Sequence, residues 1–185
     1  MAPEEVTREQ RSNAKTVNFG IVYGVSAFGL SQQTDMSRKE AKAAIDGYFR
    51  TYPGIKKYMD DQISFARDHG YVETNTGRRR YLKDIESRNA VVRGHSERNA
   101  VNAPIQGSAA DIIKLAMIEV DRAIRAANMK SKMLLQVHDE LVFDVYKDEL
   151  EELKELVVKK MEAAVSLEVP MVAEVGTGSN WLEAH

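Results

Sequence analysis

Residues 11–24 read RSNAKTVNFGIVYG, and the spacing inside this stretch sets up the rest of the chain. Thr7 caps a helix start just upstream, with Gln10 three residues later completing a capping-box spacing. Arg11, Lys15, Phe19 and Tyr23 then recur every four residues. Each step of four turns a helix about 40° beyond a full circle, so these side chains form one slowly drifting stripe. Two cations come first and two aromatics follow, each with a glycine after it (Phe19-Gly20, Tyr23-Gly24). Cations near a helix N-terminus add their charge to exposed N–H groups, which suits a polyphosphate. An aromatic one turn further on is placed to stack on a base or sugar. Each glycine costs a helix roughly 1 kcal/mol, so the pair predicts close approach by something. The same pattern also fits an amphipathic surface helix with snorkelling cations and part-buried aromatics, and the stretch alone leaves both readings open.

Composition sets wide bounds. The 185 residues suffice for one ordinary domain or two small lobes, and 43% hydrophobic content supports a sizeable core. No run reaches the roughly 18 apolar residues that a membrane span needs, so no membrane partner is expected. Lys and Arg number 26 against 28 Asp and Glu, a net charge of -2, so any basic surface must be local. With no cysteine, disulfides and thiolate metal sites are excluded, which fits a reducing cytoplasm. The start, MAPEEVTREQ, is polar and charged and carries no signal-peptide pattern.

Outward from the opening stretch, Ser26–Thr34 reads as a short helical turn. Ser37 caps a further helix with Ala41, Ala44, Ile45, Tyr48 and Phe49 at helical spacing, stopped by Tyr52-Pro53-Gly54. Pro53 opens the next helix, which ends at His69-Gly70. Residues 71–82, YVETNTGRRRYL, alternate on both sides of an Asn/Gly turn and predict a β-hairpin. Its three arginines fit either phosphate-backbone contacts or a solvated strand edge that discourages aggregation.

Ser87 begins a long helical pattern in which Arg98, Asn102 and Gln106 sit four apart, a polar stripe if the helix runs on. Pro104 and Gly107 predict a kink, with a second helix from Ser108. A stripe of Arg, Asn and Gln can donate to minor-groove acceptors without distinguishing sequences; hydrogen bonding between helices at a bend is the plainer reading. KMLLQV (132–137) and LVFDVY (141–146) are strand candidates around His138-Asp139-Glu140. A tight turn there fixes side chains on rigid elements, as a metal site demands, and paired carboxylates suit Mg²⁺. An Asp-Glu turn is more often only a turn, but the apolar flanks predict a buried hairpin with a charged tip. Residues 148–165 form an amphipathic helix with Leu150, Leu153, Val157, Met161 and Val165 inward, Pro170 breaks the pattern, and residues 172–175 read as a short last strand. The element order is α+β.

Together these stretches resemble family A DNA polymerases of the bacterial polymerase I type, from about Val6 to His185. RSNAKTVNFGIVYG is similar to that family's motif B, R-x3-K-x3-F/Y-G-x2-Y-G, and VHDE to its motif C. GYVET-x2-GRRRYL, ERNAVNAPIQGSAADIIK and GSNWLEAH also match its habitual wording. The resemblance implies a right-hand polymerase to which this chain gives a helical fingers subdomain (1–88, with the hairpin at about 71–82) and part of an antiparallel-sheet palm (89–185, with the HDE hairpin). It implies that Arg11 and Lys15 hold the incoming dNTP, Lys15 also acting as general acid toward pyrophosphate. Phe19 then packs on the nucleotide, Tyr23 closes the templating pocket, and Arg98, Asn102 and Gln106 follow the primer–template DNA. By the same implication His138 sits by the primer terminus, Asp139 holds Mg²⁺ and Glu140 assists it. Two Mg²⁺ ions about 3.5–4 Å apart serve such a reaction, and rotation of the motif B helix onto a correct pair makes an induced-fit check.

One departure matters most: the family's motif A, an Asp in a D-Y-S-Q-I-E-L-R strand, does not occur here. Smaller ones are Ser12, where a second Arg is common, and Lys83, where Pro is usual. The chain is therefore expected to be a C-terminal fragment lacking the N-terminal part of its polymerase, bacterial, cytoplasmic and nucleoid-associated, and inactive alone. Asp144 is the first candidate for any substitute carboxylate. The hairpin edge left without motif A is expected to drive self-association. Competing readings are a single-subunit RNA polymerase fragment and a non-catalytic nucleotide- or DNA-binding module.

Overall fold

The computed structural model describes residues 5–184, so His185, the end of GSNWLEAH, lies outside the described residues. The chain gathers into two compact units, residues 1–106 and 107–185. It is an α+β chain of seven helices and two separate two-stranded antiparallel sheets among the described residues.

In the first unit, helix α1 runs Arg8–Val22, opened by a full capping box between Thr7 and Gln10. Ile21 is its buried residue. Helix α2 (Ala27–Gln33) is capped by Ser26 and buries Leu30. Helix α3 (Arg38–Thr51) has a second capping box, Ser37 with Glu40, whose hydrogen bonds from Ser37 hold the Glu40 carboxyl below its ordinary value. Pro53 supplies the first position of α4 (Pro53–His69), and Gly70 ends it in the left-handed region. Strands β1 (Tyr71–Glu73) and β2 (Arg79–Tyr81) pair as expected, with Val72 facing Arg80. Arg79 is already committed: it donates to Glu73 at 2.7 Å and lies 4.4 Å over the Tyr71 ring. A phosphate-binding reading of this strand therefore cannot use all three arginines freely.

Helix α5 runs unbroken from Ala90 to Ala126 with Pro104 inside it, where the sequence predicts two helices. Its start also differs. Asn89, not Ser87, accepts from the backbone N–H groups of Val91 and Val92, at 2.9 and 3.4 Å. A proline removes one helical hydrogen bond, but apolar packing of Ala100, Val101, Ala116 and Val120 along the same helix outweighs that local loss. The core of the first unit joins Ala66, Val72, Leu82, Ile85 and Ala100, with Ile63, Phe65 and Ala103 packed against them. The first half of α5 packs against α4 and β1, so it belongs to the first compact unit. Tyr58 adds a hydrogen bond to the Val101 carbonyl at 3.1 Å, and burial pushes its hydroxyl pKa up.

In the second unit, Asn128 takes a left-handed φ of 53° and leads the chain into β3 (Lys132–Val137), which pairs with β4 (Glu140–Asp144). The register slips between Met133 and Leu135, making a bulge at Leu134. A 3-10 turn (Lys147–Glu149) leads into α6 (Leu150–Glu162). Val120, Ile124, Leu153 and Val157 form the core, with Met129, Phe143 and Met161 against it. The Glu149 carboxylate accepts from Lys130 N, Ser131 N and Ser131 Oγ, while Ser131 Oγ accepts from Tyr146 N at 2.9 Å. This knot ties both ends of the hairpin to the helix start, and its hydrogen bonds lower the Glu149 pKa.

Three expectations fail here. Helix α6 stops at Glu162, so Val165 lies beyond it. Residues 172–175 form no strand; Ala173 N instead donates to the Glu162 side chain at 3.1 Å, and Val172 is 78% exposed. Among the described residues β3 and β4 pair only with each other, and residues 172–175 take neither of the hairpin's two open edges. Nor is the hairpin fully buried: Phe143 packs on the core, while Leu134 and Leu135 are 58% and 49% exposed. The tail then forms a helix that periodicity did not predict, α7 (Trp181–Ala184).

Candidate active site

Helix α1 holds its stripe as the four-residue spacing predicts. The Phe19 and Tyr23 rings stack with centroids 6.4 Å apart and planes 18° apart, and Lys15 Nζ lies 5.8 Å from the Phe19 centroid. Lys15, Phe19 and Tyr23 line an open cleft of about 670 Å³ together with Ser26, Gln33 and Arg98. Both aromatics are about half exposed, which leaves ring faces available to a ligand. Arg11 continues the stripe one turn earlier, exposed, and does not line the cleft.

Arg98 is the residue that the sequence could not place. It was expected in a stripe on α5, yet its side chain also walls the cleft of α1. Gly24 makes this possible: φ is 75°, and a Cβ there would lie 3.1 Å from Arg98 Cγ. Likewise a Cβ on Gly20 would lie 3.1 Å from Val25 Cγ1. The close approach that the two glycines predicted is thus made by the chain itself. Another missed contact is Tyr48 Oη, which donates to Asn18 Oδ1 at 2.9 Å and ties α3 to α1. No local pattern pairs residues on different helices.

Because α5 is continuous, Arg98, Asn102 and Gln106 do share one drifting stripe. Arg98 and Gln106 are exposed, whereas Asn102 Oδ1 is buried without a hydrogen-bond partner among the described residues. Leaving such an atom unpaired costs about 1–3 kcal/mol, a cost that functional sites tolerate more readily than plain packing does.

The second unit carries the carboxylates. Val137 pairs with Glu140, so His138 and Asp139 are the two residues of the turn, with φ of 53° at His138. Gln136 Nε2 donates to the His138 carbonyl and braces the turn. His138 and Asp139 are exposed at the tip, and Glu140 opens β4 with its carboxylate accepting from Trp181 Nε1 at 3.3 Å. Asp144 pairs with Lys132 at the far end of the hairpin. At about 3.3 Å per strand residue it lies roughly 16 Å along the strand from Asp139, too far to share an ion with it. Among the described residues no three His, Asp or Glu side chains gather to hold a metal. The donor chemistry of Asp139 and Glu140 fits a hard divalent cation, but as one wall of a site, not all of it.

The cation–aromatic cleft of the first unit suits a phosphorylated ligand, and the carboxylate pair at the hairpin tip of the second, taken by itself, suits a hard divalent cation. The sequence profile of DNA polymerase family A matches residues 1–183, and the chain belongs to that family. It is 58% identical over 182 residues to DNA polymerase I of Streptococcus pneumoniae, covering 98% of this chain and 21% of that protein. It is 48% identical over 184 residues to DNA polymerase I of Bacillus subtilis, covering 100% of this chain and 21% of the relative. The POL domain of Pol1 from M. smegmatis, solved in complex with DNA primer-template and dNTP, superposes with a TM-score of 0.95 at 49% identity, covering 98% of this chain and 32% of that one. The chain thus spans about a fifth of the length of these curated relatives.

Proposed function

We propose that the chain supplies the fingers (1–88) and the C-terminal part of the palm (89–185) of a DNA-directed DNA polymerase that extends a primer from dNTPs during replication and repair. The observation that carries this reading is the cleft in which Lys15, Phe19 and Tyr23 of α1 meet Arg98 of α5. In the reaction the primer 3′-oxygen bonds to the α-phosphorus while the bond to the β-phosphate breaks and pyrophosphate leaves. Arg11 and Lys15 offset the triphosphate charge, and Lys15 gives the departing pyrophosphate its proton. Phe19 stacks on the nucleotide, Tyr23 borders the templating position, and Arg98, Asn102 and Gln106 contact the primer–template. His138 faces the primer end, Asp139 is a metal ligand and Glu140 supports it. Magnesium, when bound, supplies charge neutralisation and a more acidic 3′-hydroxyl. Such catalysis is mostly positioning, so every one of these groups acts by where it is held. The setting is the cytoplasm of a bacterium, beside the nucleoid.

The chain alone binds nucleotide without extending a primer, since Asp139 and Glu140 form only part of a metal site. Primer extension by the purified chain with Mg²⁺ and dNTPs, beside Asp139→Ala, tests this together with dNTP binding by calorimetry. Binding that Lys15→Ala weakens, without extension, supports the reading; extension that survives Asp139→Ala, or absence of dNTP binding, overturns it.

A further inference from the structure

The tail after Pro170 has no part in the cleft, yet it is built with care. A Cβ on Gly178 would lie 2.6 Å from Glu183 Cβ and 2.8 Å from Ala184 N, and one on Gly176 would collide with the Ala184 carbonyl. Only glycine at these positions lets the loop fold back against α7. The Glu183 carboxylate accepts from Ser179 N at 2.9 Å and Asn180 Nδ2 at 2.8 Å, while Asn180 Oδ1 accepts from Glu183 N at 3.1 Å. These bonds lower the Glu183 pKa and fix the first turn of α7. The product of this closure is the placement of one side chain. Trp181 Nε1 donates to Glu140 Oε2 at 3.3 Å, across 41 residues of sequence.

We propose that Trp181 is a positioning residue that docks the tail on the β3–β4 hairpin and fixes the orientation of the Glu140 carboxylate beside Asp139. An indole N–H can only donate, so it holds a carboxylate oxygen without competing for the metal. The Glu140 carboxylate is thereby oriented, as outer partners orient the ligands of metal sites in general. The metal consequence rests on the reading of the hairpin tip given above; the docking itself does not.

Trp181 is the sole tryptophan, so its fluorescence reports the contact directly. In the full chain Glu140→Ala should shift Trp181 emission to the red and raise acrylamide quenching about twofold. Trp181→Phe, which keeps a ring but removes the donor, should weaken Mn²⁺ binding measured by electron paramagnetic resonance by about tenfold. Its melting temperature should stay within about 2 °C of the parent, and Asp139→Ala should abolish Mn²⁺ binding. Emission and quenching indifferent to Glu140→Ala would overturn the docking, whatever the metal does. A normal response to Glu140→Ala with Mn²⁺ affinity unchanged in Trp181→Phe but lost in Asp139→Ala would overturn the positioning role and leave the metal reading standing. If Asp139→Ala also leaves Mn²⁺ binding unchanged, the metal reading fails and the positioning role goes with it, while the fluorescence still decides the docking.

Discussion

Replacing Gly24 with alanine separates the backbone's demand from the ligand's. Gly24 holds a φ of 75°, a left-handed conformation that costs an L-residue about 1–2 kcal/mol. The added methyl would also stand 3.1 Å from Arg98 Cγ and 3.6 Å from Cδ, so the Arg98 side chain must move by a few tenths of an ångström. Arg98 is exposed and flexible, so that movement adds little to the folding cost but disturbs the wall of the cleft. The expected loss is therefore about 1–2 kcal/mol, or about 4–10 °C in melting temperature for a unit of this size. Gly77→Ala is the matched control, because Gly77 has a φ of 81° and nothing within 4 Å of its would-be Cβ. Both variants should melt lower by similar amounts in circular dichroism, but only Gly24→Ala should weaken dNTP binding, about three- to tenfold by calorimetry. Equal dNTP affinity in the two variants would refute the placement of Arg98 in the cleft. An unchanged melting temperature in both would refute the backbone argument.

Three further outcomes are expected. Folded-state hydrogen bonds depress the Glu149 pKa below its ordinary 4.5, so the stability it contributes is present above that value and is lost as pH falls through the folded pKa. Melting curves of Glu149→Gln should accordingly lie below the parent at pH 7 and converge with it near pH 3; parallel curves would contradict this. Tyr48→Phe removes the hydrogen bond to Asn18 while keeping the ring, and should lower dNTP affinity about two- to fivefold with little change in melting. Light scattering at high concentration should detect dimers formed through the exposed edge of the β3–β4 hairpin, and a monomeric mass throughout would dismiss that association.

Local chemistry is legible in the sequence alone. Thr7 with Gln10 and Ser37 with Glu40 announce helix starts because a capping box closes over three residues. The turn at 75–77 and the His138-Asp139 turn are equally local. What escaped depends on distance in the fold. Pro104 predicts a break, and only the apolar residues buried on either side of it keep α5 whole. Residues 172–175 have strand composition but pair with neither free edge of the β3–β4 hairpin, Ala173 turning instead to the Glu162 side chain. The stripe on α1 was readable, whereas the arrival of Arg98 beside it required the packing of α5 against α4, which no periodicity encodes. Motif wording names more candidate residues than spacing does, since the same stripe also suits an inert surface helix.

Helix α1 fully buries only Ile21, half-buries Val17 and Val22, and is tied to α3 by the Tyr48–Asn18 hydrogen bond. Lifting it from its seat costs at least about 1.5–3 kcal/mol for re-exposing that isoleucine, with the two valines and the hydrogen bond added. With a gap of at least that size, any lifted state is a minor one, roughly 10% of the molecules or fewer. Only the difference in a nucleotide's affinity for the two positions of the helix moves that balance, and a tenfold difference supplies about 1.4 kcal/mol, comparable to the seat of one isoleucine.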